Sequence, residues 1–366
     1  MDEKIIVGSL QYSPIYKSHC CALGKQCEKQ GYSVVYLFSH EYKWMLSEEI
    51  KEKTIFVGKS KSIKSAIIDG FDIRNILKLK NILLGTNPDY IYMYNYHPFL
   101  NYYIAKLAKK YGCNFIQHVQ EPYVENKSIY QGFKQYWLCI FELMQEKLIM
   151  NADTAIVSSE ISSNLFSKRY KKYIGKKSII PLMYEDLGDV NKNIKFRKYI
   201  TFIGPPVPAK GPETFLKIVQ YSEEHNLDYK FLLISRSKIN DPIYHKWKNL
   251  KIHYKDKISD EEIGEFMKQS LMTITPYKIA TQSSVVLTSY MHGTPAISTN
   301  VGGLPEVVHH LKSGYLVDKK SSVEEWVKGI NYIANNHSKI SKYCRDYFVK
   351  NYSEQNWPKY FDDVLK

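Results

Sequence analysis

The sequence predicts an α/β protein with two doubly wound parallel sheets, on three observations. Short apolar segments alternate with helical patterns along the first half of the chain. A second series of the same kind begins near residue 198. Residues 185–198, between the two series, are polar and charged, as linkers between domains commonly are. We therefore predict two Rossmann-like domains that face each other across a cleft and bind ligands at the carboxyl ends of their strands.

In the first series, each predicted strand is a short apolar run of the kind found in buried parallel sheets. These strands are residues 4–12, 33–38, 89–94, 114–120 and 152–158. A helical pattern over residues 18–30 ends before Gly31, as expected of a glycine that follows a helix. A second helix is predicted at residues 102–111.

The second series predicts strands at residues 198–203, 229–235, 271–275 and 295–299. A helix at 212–225 begins with a proline in its first turn, and another at 285–292 ends before Gly293. Residues 353–365 have the pattern of a capped amphipathic helix. The predicted organisation is an N-terminal domain at 1–188, a C-terminal domain at 189–352, and a C-terminal helix at 353–366 that crosses back to the first domain.

Composition excludes several classes of protein. The 366 residues are 44% hydrophobic and 24% charged, which excludes a wholly disordered, collagen-like or disulfide-stapled chain. No apolar run approaches the ~20 residues of a membrane-spanning helix, and the N-terminus does not have the pattern of a secretory signal. The six cysteines form no CxxC pair, so we expect free thiols in a reducing cytoplasm.

The net charge of +14 is spread over both halves of the chain. This excess fits anionic small molecules, anionic lipid surfaces or nucleic acid, and does not choose among them. Nucleic acid ranks low because no basic stripe with aromatic recognition residues is evident. The most basic segment, residues 168–177, is interpreted as a solvated face; the alternative is docking to an anionic membrane.

The segment with the clearest chemical pattern is residues 276–308 (PYKIATQSSVVLTSYMHGTPAISTNVGGLPEVV). Ser283 and Ser284 come just before the helix predicted at 285–292. A helix N-terminus offers unpaired N–H groups and a partial positive charge, which suit a diphosphate. The alternative is that a serine hydroxyl merely caps the helix. Gly302 and Gly303 then form a tight loop into the next helix, which carries Glu306.

This segment resembles the donor-site signature of the family-4 glycosyltransferases, which have the two-domain GT-B fold. Four other segments resemble that family: residues 202–211 (FIGPPVPAKG), 259–266 (SDEEIGEF), 312–317 (KSGYLV) and 352–357 (YSEQNW). The resemblance covers most of residues 198–366 and is weaker over 1–150. It implies a retaining enzyme that uses a nucleotide-diphosphate sugar.

The chain also departs from the family pattern. The two family glutamates, one for the donor sugar and one for the ribose, are replaced by Ala280 and Thr288. Thr288 is expected to offer one hydrogen bond in place of a carboxylate, worth about 1 kcal/mol. Lys210, in the loop that begins near Gly204, aligns with the family lysine that contacts the diphosphate. The turn Gln282-Ser283-Ser284 resembles the "QSG"-like turn of bacterial polysaccharide-type members.

Arg236 is a candidate for a second positive charge at the donor site. The family usually has an arginine at the position of Pro205, so that charge is missing there. Arg236, which follows the predicted strand 229–235, is expected to supply it. A role as an ordinary surface arginine is the alternative.

In the first domain, polar residues follow three predicted strands. The family commonly has an "HD" or "HEP" motif where this chain has residues 117–123 (QHVQEPY), and its histidine aligns with either His118 or Gln120. We expect His118 and Glu121 to face the acceptor or the transferred sugar. A purely structural role for each histidine is the alternative. The acceptor-side residues are predicted to be Tyr16, Lys17, His97 and Gln120.

Together these residues predict a metal-independent hexosyltransferase, because no DxD-like carboxylate pair is evident. The expected catalytic residues are His118, Glu121 and Lys210. The expected donor-binding residues are Gly204, Lys210, Arg236, Gln282, Ser283, Ser284, Thr288 and Glu306. No resident cofactor is expected, and the nucleotide is left open between UDP and GDP. The expected acceptor is a hydroxyl of a bacterial surface glycan or lipid-linked oligosaccharide. The expected location is the cytoplasm, and peripheral contact with the inner face of the membrane is left open. A catalytically silent GT-B sugar-binding or partner subunit is the alternative, since both family glutamates are missing.

Overall fold

The computed structural model describes residues 3–11, 14–59, 61–124, 127, 132–188 and 197–365, without the side chains of residues 133 and 134. The chain divides into two compact units. Unit 1 comprises Met1–Glu185 with Ser353–Lys366, and unit 2 comprises Asp186–Tyr352. Most of the predicted linker, residues 189–196, lies outside the described residues.

Unit 1 contains a seven-stranded parallel sheet in the order β3-β2-β1-β4-β5-β6-β7. The strands are β1 (Lys4–Ser9), β2 (Ser33–Phe38), β3 (Thr54–Phe56), β4 (Tyr90–Tyr94), β5 (Asn114–Val119), β6 (Thr154–Val157) and β7 (Lys176–Ile179). The helices are α1 (Lys17–Lys29), α2 (Glu48–Glu52), α3 (Ile63–Phe71), α4 (Ile73–Thr86), α5 (Leu100–Tyr111), α6 (Phe133–Ile149) and α7 (Glu160–Arg169).

Unit 2 contains a six-stranded parallel sheet in the order β10-β9-β8-β11-β12-β13. The strands are β8 (Tyr199–Ile203), β9 (Lys230–Ser235), β10 (Leu250–Tyr254), β11 (Ser270–Thr275), β12 (Ala296–Thr299) and β13 (Gly314–Val317). The helices are α8 (Pro212–Glu224), α9 (Asp260–Gln269), α10 (Ser284–Met291), α11 (Leu304–Val307), α12 (Val323–Asn335) and α13 (His337–Asn351).

Both strand orders run outwards in two directions from a central pair, β1 and β4 in unit 1 and β8 and β11 in unit 2. This is the doubly wound order, in which the loops after the central strands separate and leave room for a ligand. The predicted fold class of two doubly wound parallel sheets is therefore confirmed. Apolar strand residues such as Ile6, Ile91 and Phe115 form the core of unit 1 with the helices that cover the sheet.

Four strands in the described residues were not predicted from the sequence, because of their length or their composition. β3 has only three residues, and β7 (KKSI) is a charged, largely exposed strand at the sheet edge. β10 (LKIHY) is a partly exposed edge strand with polar residues, where an apolar run is not required. β13 (GYLV) is apolar and mostly buried but has only four residues.

The C-terminal segment differs from the predicted capped helix. Glu354–Tyr360 is a 3-10 helix, and only Phe361–Val364 (α14) is α-helical. Pro358 lies inside the 3-10 segment and has no N–H to donate to an α-helix. Ser353 makes no side-chain capping bond. The segment packs within unit 1, where the ring of Trp357 lies 5.9 Å from that of Tyr92.

Candidate functional site

Three loops at one edge of the unit 2 sheet are tied together by backbone hydrogen bonds. They follow β8, β11 and β12, and we call residues 204–211, 276–283 and 300–303 the strand-end loops. The Lys278 amide donates to the Ala209 carbonyl at 2.9 Å, and the Gly303 amide donates to the Ala280 carbonyl at 3.0 Å. The loops therefore form one braced surface at the point where the strand order reverses, which is the usual ligand site of such sheets.

The glycine pair of the third loop is required by close packing. A Cβ at Gly302 would overlap the carbonyl oxygen of Ala280, and one at Gly303 would overlap that of Thr281. Only glycine allows the two backbones to approach this closely. Glu306 follows in the short helix α11 and is half-buried.

Lys210 lies across the end of the central strand β8. Its Nζ donates to the Ile203 carbonyl at 3.1 Å and lies 5.5 Å from the centre of the Tyr277 ring. Gly204, which has a φ of 113°, leaves the space that the lysine occupies, because a Cβ there would overlap Nζ. An ammonium group has three donors. Lys210 therefore offers positive charge and further N–H groups between the first two strand-end loops.

The N-terminus of α10 rises directly from the second strand-end loop. The Ser283 Oγ accepts a hydrogen bond from the Val286 amide at 3.4 Å, so this serine caps the helix. Ser284 is exposed, and Thr288 is half-buried one turn further on. The Oε1 atom of Gln282 is buried and has no hydrogen-bond partner among the described residues. The turn thus presents an unused buried acceptor beside the helix N-terminus.

Arg236 follows β9 and is partly buried. Its Nη2 donates to the Ile258 carbonyl, and loss of hydration lowers the pKa of the guanidinium, an effect that Asp260 opposes. The arginine braces the loop before α9, so part of its hydrogen-bonding capacity is used within unit 2.

In unit 1, His118 is enclosed by the strands on both sides of β5. Its Nδ1 lies 2.8 Å from the Tyr92 hydroxyl, and its Nε2 lies 2.7 Å from the Ser158 Oγ. Burial, with a smaller contribution from His19, lowers the pKa of His118 to about 3. Both ring nitrogens of this neutral imidazole are engaged, which favours the structural alternative for His118 over proton transfer to a ligand.

A second polar cluster joins the loop after β1 to the ends of β4 and β5. The Tyr16 hydroxyl is hydrogen bonded to the Gln120 Oε1 and accepts from the Asn95 Nδ2 at 2.9 Å. Asn95 was missed by the sequence analysis. Its signal was a polar residue directly after an apolar strand, and here it has a positive φ of 49°.

Glu121 follows directly on this cluster. Glu121 is exposed to solvent, yet protein atoms crowd around its carboxyl group. The resulting loss of hydration, with repulsion from Glu142 second, raises the pKa of the Glu121 carboxyl to about 7. Glu142 itself accepts from the Val124 amide at 3.0 Å and pairs with Lys127 at 2.8 Å. Glu121 is thus poised to gain or lose a proton near neutral pH.

His97 and Lys17, the other two residues predicted on the acceptor side, make hydrogen bonds or ion pairs within unit 1. The His97 Nδ1 accepts from the Phe99 and Leu100 amides at 3.2 and 3.1 Å, at the start of α5, and burial lowers the pKa of His97 to about 4. The Lys17 Nζ pairs with Glu185 at 3.0 Å, a carboxylate that also binds Lys25 at 2.7 Å. The structure gives both residues a role in holding the unit together.

Among the described residues, no group of three or more His, Cys, Asp or Glu side chains has a geometry suited to a metal ion. Within the same part of the chain, no helix has both the length and the apolar character needed to cross a membrane.

The chain resembles known glycosyltransferases in both sequence and fold. Residues 187–350, essentially unit 2, match the family model "Glycosyl transferases group 1". An uncharacterized glycosyltransferase from Methanocaldococcus jannaschii is 26% identical over 143 residues, which are 36% of this chain and 38% of that protein. The alignment thus spans less than half of that relative.

Two solved structures share the fold over nearly their whole length. Sucrose-phosphate synthase from Thermosynechococcus elongatus superposes with a TM-score of 0.75 at 13% identity, covering 99% of both chains. Anabaena HepE, solved with UDP-glucose, superposes with a TM-score of 0.70 at 11% identity, again covering 99% of both chains. The fold is therefore that of the GT-B glycosyltransferases, and the resemblance to the group 1 family model is confined to unit 2.

Proposed function

We propose that this chain, whose unit 2 resembles the group 1 glycosyltransferases and whose fold is GT-B, is a retaining enzyme of the family-4 type. It transfers a hexose or related sugar from a nucleotide-diphosphate donor to an acceptor hydroxyl. The observation that carries the proposal is the position of Lys210 over the end of β8, beside loops that are braced to the N-terminus of α10. The family match covers the same unit.

Binding of the diphosphate is assigned to unit 2. The leaving group gains negative charge as the glycosidic bond breaks, and positioned donors stabilise that charge. Lys210 supplies a cation, the first turn of α10 at Ser283 and Ser284 supplies backbone N–H groups, and Arg236 adds positive potential. These groups would stabilise the negative charge of the leaving diphosphate, as a divalent cation does in metal-dependent transferases. We therefore propose a metal-independent reaction.

Recognition of the sugar and ribose is assigned to neutral side chains. The family glutamates are absent at Ala280 and Thr288, and the Ala280 carbonyl is already bonded to Gly303. The buried, unpartnered Oε1 of Gln282 is an acceptor for a sugar hydroxyl, and Thr288 offers a second polar group. Glu306, in the helix after the glycine pair, is proposed to accept from a donor hydroxyl.

The acceptor is assigned to the polar cluster of unit 1. Tyr16, Gln120 and Asn95 offer hydroxyl and amide groups suited to a sugar, and Glu121 is the adjacent ionisable group. His118 serves as a positioning residue, because its bonds to β4 and to Ser158 fix the end of β5. In the proposed reaction the acceptor oxygen attacks on the face that the leaving group departs from, and a diphosphate oxygen takes the acceptor proton.

The substrates are proposed by class. The structure of HepE with UDP-glucose makes UDP-hexoses the first donors to test, with GDP- and ADP-sugars beside them. The acceptor is proposed to be a hydroxyl of a bacterial surface glycan or a lipid-linked oligosaccharide. No resident cofactor is proposed.

The test compares Lys210→Ala with Lys217→Ala, an exposed lysine on α8 of the same unit. Calorimetry with UDP, GDP and ADP is performed in EDTA. Loss of a charge-assisted contact is expected to weaken binding of the preferred nucleotide by about tenfold or more in Lys210→Ala. Lys217→Ala is expected to bind like the parent. Equal affinity in both variants, or no binding of any nucleotide by the parent, overturns the donor-site assignment.

A catalytically silent sugar-binding subunit is the second candidate, favoured by the loss of both family glutamates. Turnover assays with the nucleotide sugars that bind, performed with glycan and lipid-linked acceptors, separate the two. Binding without hydrolysis or transfer supports the silent subunit, whereas retention of anomeric configuration in the product supports the enzyme.

A further inference from the structure

One face of unit 1 is unusually basic. Helices α4 and α5 pack side by side, and their 14 and 12 residues contain no acidic side chain. Six cations lie on them: Arg74, Lys78, Lys80, Lys106, Lys109 and Lys110. Arg74 pairs with Asp72. Within the described part of the chain, the five lysines have no carboxylate at ion-pair distance, so their positive charge is uncompensated.

The same face exposes large apolar side chains. Ile73, Leu77 and Leu84 are 63%, 51% and 53% exposed and are spaced by four and seven residues, which places them on one side of α4. Ile68 and Phe71, at the end of α3, are 68% and 72% exposed. We call the exposed side of α3, α4 and α5 the basic apolar surface.

The exposed apolar residues of α4 lie outside the core of unit 1. The opposite side of α4, with Leu79, Ile82 and Leu83, already packs in the core of unit 1. A surface helix normally presents polar residues to solvent on its outer side. Several exposed apolar side chains on adjoining helices, interspersed with cations, indicate an interaction surface.

We propose that the basic apolar surface docks on an anionic lipid bilayer. The apolar side chains enter the interface between headgroups and acyl chains, and the lysines meet the anionic headgroups. Charge selects this partner, because uncompensated lysines would repel a second copy of the same surface. The inference goes beyond the proposed function, since docking does not depend on whether the chain transfers a sugar.

The other basic segment, residues 168–177, fits this role less well. Lys177 donates to Ser163 and Ser167, and Arg169 pairs with Glu146. Ile174 is fully exposed but has no apolar neighbours of comparable exposure within the segment. The segment therefore provides a matched control, with exposed lysines and an exposed isoleucine.

The experiment measures co-sedimentation of the full chain with vesicles of phosphatidylcholine, alone or with about 30% phosphatidylglycerol. We expect binding only to the anionic vesicles and release at high salt. Leu77→Glu and the double variant Lys78→Glu/Lys80→Glu are each expected to lower the partition coefficient by about tenfold or more. Ile174→Glu and Lys171→Glu/Lys172→Glu match these changes in charge and are expected to bind like the parent.

Circular dichroism and sedimentation equilibrium accompany each variant to establish folding and oligomeric state. Equal binding to neutral and anionic vesicles, or an equal loss in the control variants, overturns the proposal. A dimer that Leu77→Glu dissociates, with no vesicle binding by the parent, assigns the surface to a second copy instead. Nucleotide binding measured on the same samples is expected to be unchanged, which separates failure of docking from failure of the proposed function.

Discussion

Arg345 on α13 binds both carboxylate oxygens of Asp186, the first residue of unit 2, at 2.6 and 2.7 Å. The Arg345 Nη1 also donates to the carbonyl of Met291, the last residue of α10, at 2.9 Å. One guanidinium thus holds the start of the unit and the C-terminal end of the helix whose N-terminus is proposed to bind the diphosphate.

The first prediction follows from this pair, which is largely shielded from water. Asp186→Asn leaves the buried guanidinium without its counter-charge, and the free energy of unfolding is expected to fall by about 2 to 4 kcal/mol. Urea denaturation measures the change. Asp228→Asn, at an exposed aspartate of the same unit, is the control, and an equally small effect of both changes would contradict the prediction.

The second prediction concerns the contact between the second and third strand-end loops. Gly303→Ala forces a Cβ against the Thr281 carbonyl and displaces the turn that carries Gln282. We expect nucleotide binding to weaken by about tenfold, since one displaced loop removes about 1.4 kcal/mol or more of interaction. Calorimetry measures it.

Gly85→Ala is the matched control for this change, because a Cβ at Gly85 meets no atom within 4 Å. This position lies in α4, so the variant is expected to gain roughly 0.5 to 1 kcal/mol of stability. Unchanged nucleotide affinity in Gly303→Ala would show that the glycine is dispensable for the site.

The fold class could be predicted from the sequence because strands, helices and turns have local sequence patterns. Apolar runs and the glycine and proline positions were sufficient to predict the doubly wound class and nine of the thirteen strands in the described residues. The positions of Lys210 and Ser283 in the fold could also be predicted from the sequence, since each lies within a few residues of a strand end or a helix start. The capping bond of Ser283 was one of two stated alternatives.

The hydrogen-bond partners of buried side chains could not be predicted from the sequence in the same way. His118 is occupied by Tyr92 and Ser158, which lie on or beside the two neighbouring strands, and only the strand order brings them together. The same holds for Asn95 and Tyr16. Strand neighbours that are distant in sequence are set by tertiary pairing, which a local pattern does not contain.

The third prediction is a loss of stability in mild acid. His19 and His97 have pKa values lowered to about 4, and His118 to about 3, chiefly by burial. In the unfolded chain each imidazole takes up a proton below about pH 6.5. Unfolding therefore becomes easier as the pH falls from 6.5 towards 4, by up to about 2 kcal/mol per histidine at pH 5.

Urea denaturation between pH 7 and 5 measures this slope. Glu121 acts in the opposite direction, because its raised pKa favours proton binding by the folded state below pH 7. The variant Glu121→Gln is thus expected to steepen the loss. His118→Gln is expected to reduce the slope while lowering stability at pH 7, and a midpoint that does not change with pH would contradict burial of neutral histidines.

The last prediction concerns Glu121 and the acceptor. If its carboxylate accepts a hydrogen bond from an acceptor hydroxyl, the transfer rate rises with pH through about 7, where this group ionises. Glu121→Gln keeps the shape of the side chain but removes the titration. We expect kcat/KM to fall by about tenfold to a hundredfold and the step near pH 7 to disappear. Initial rates from pH 5.5 to 8.5, at saturating donor, measure both effects, and the range spans roughly 1.5 units on either side of the step.

Glu48→Gln, at an exposed glutamate at the start of α2 in the same unit, is the control and is expected to retain the parental profile. Donor hydrolysis in the absence of acceptor separates two roles for Glu121. A group that contacts only the acceptor leaves hydrolysis unchanged, whereas one that contacts the transferred sugar lowers hydrolysis together with transfer. A step near pH 7 that persists in Glu121→Gln would assign the titration to another group and remove Glu121 from the acceptor site.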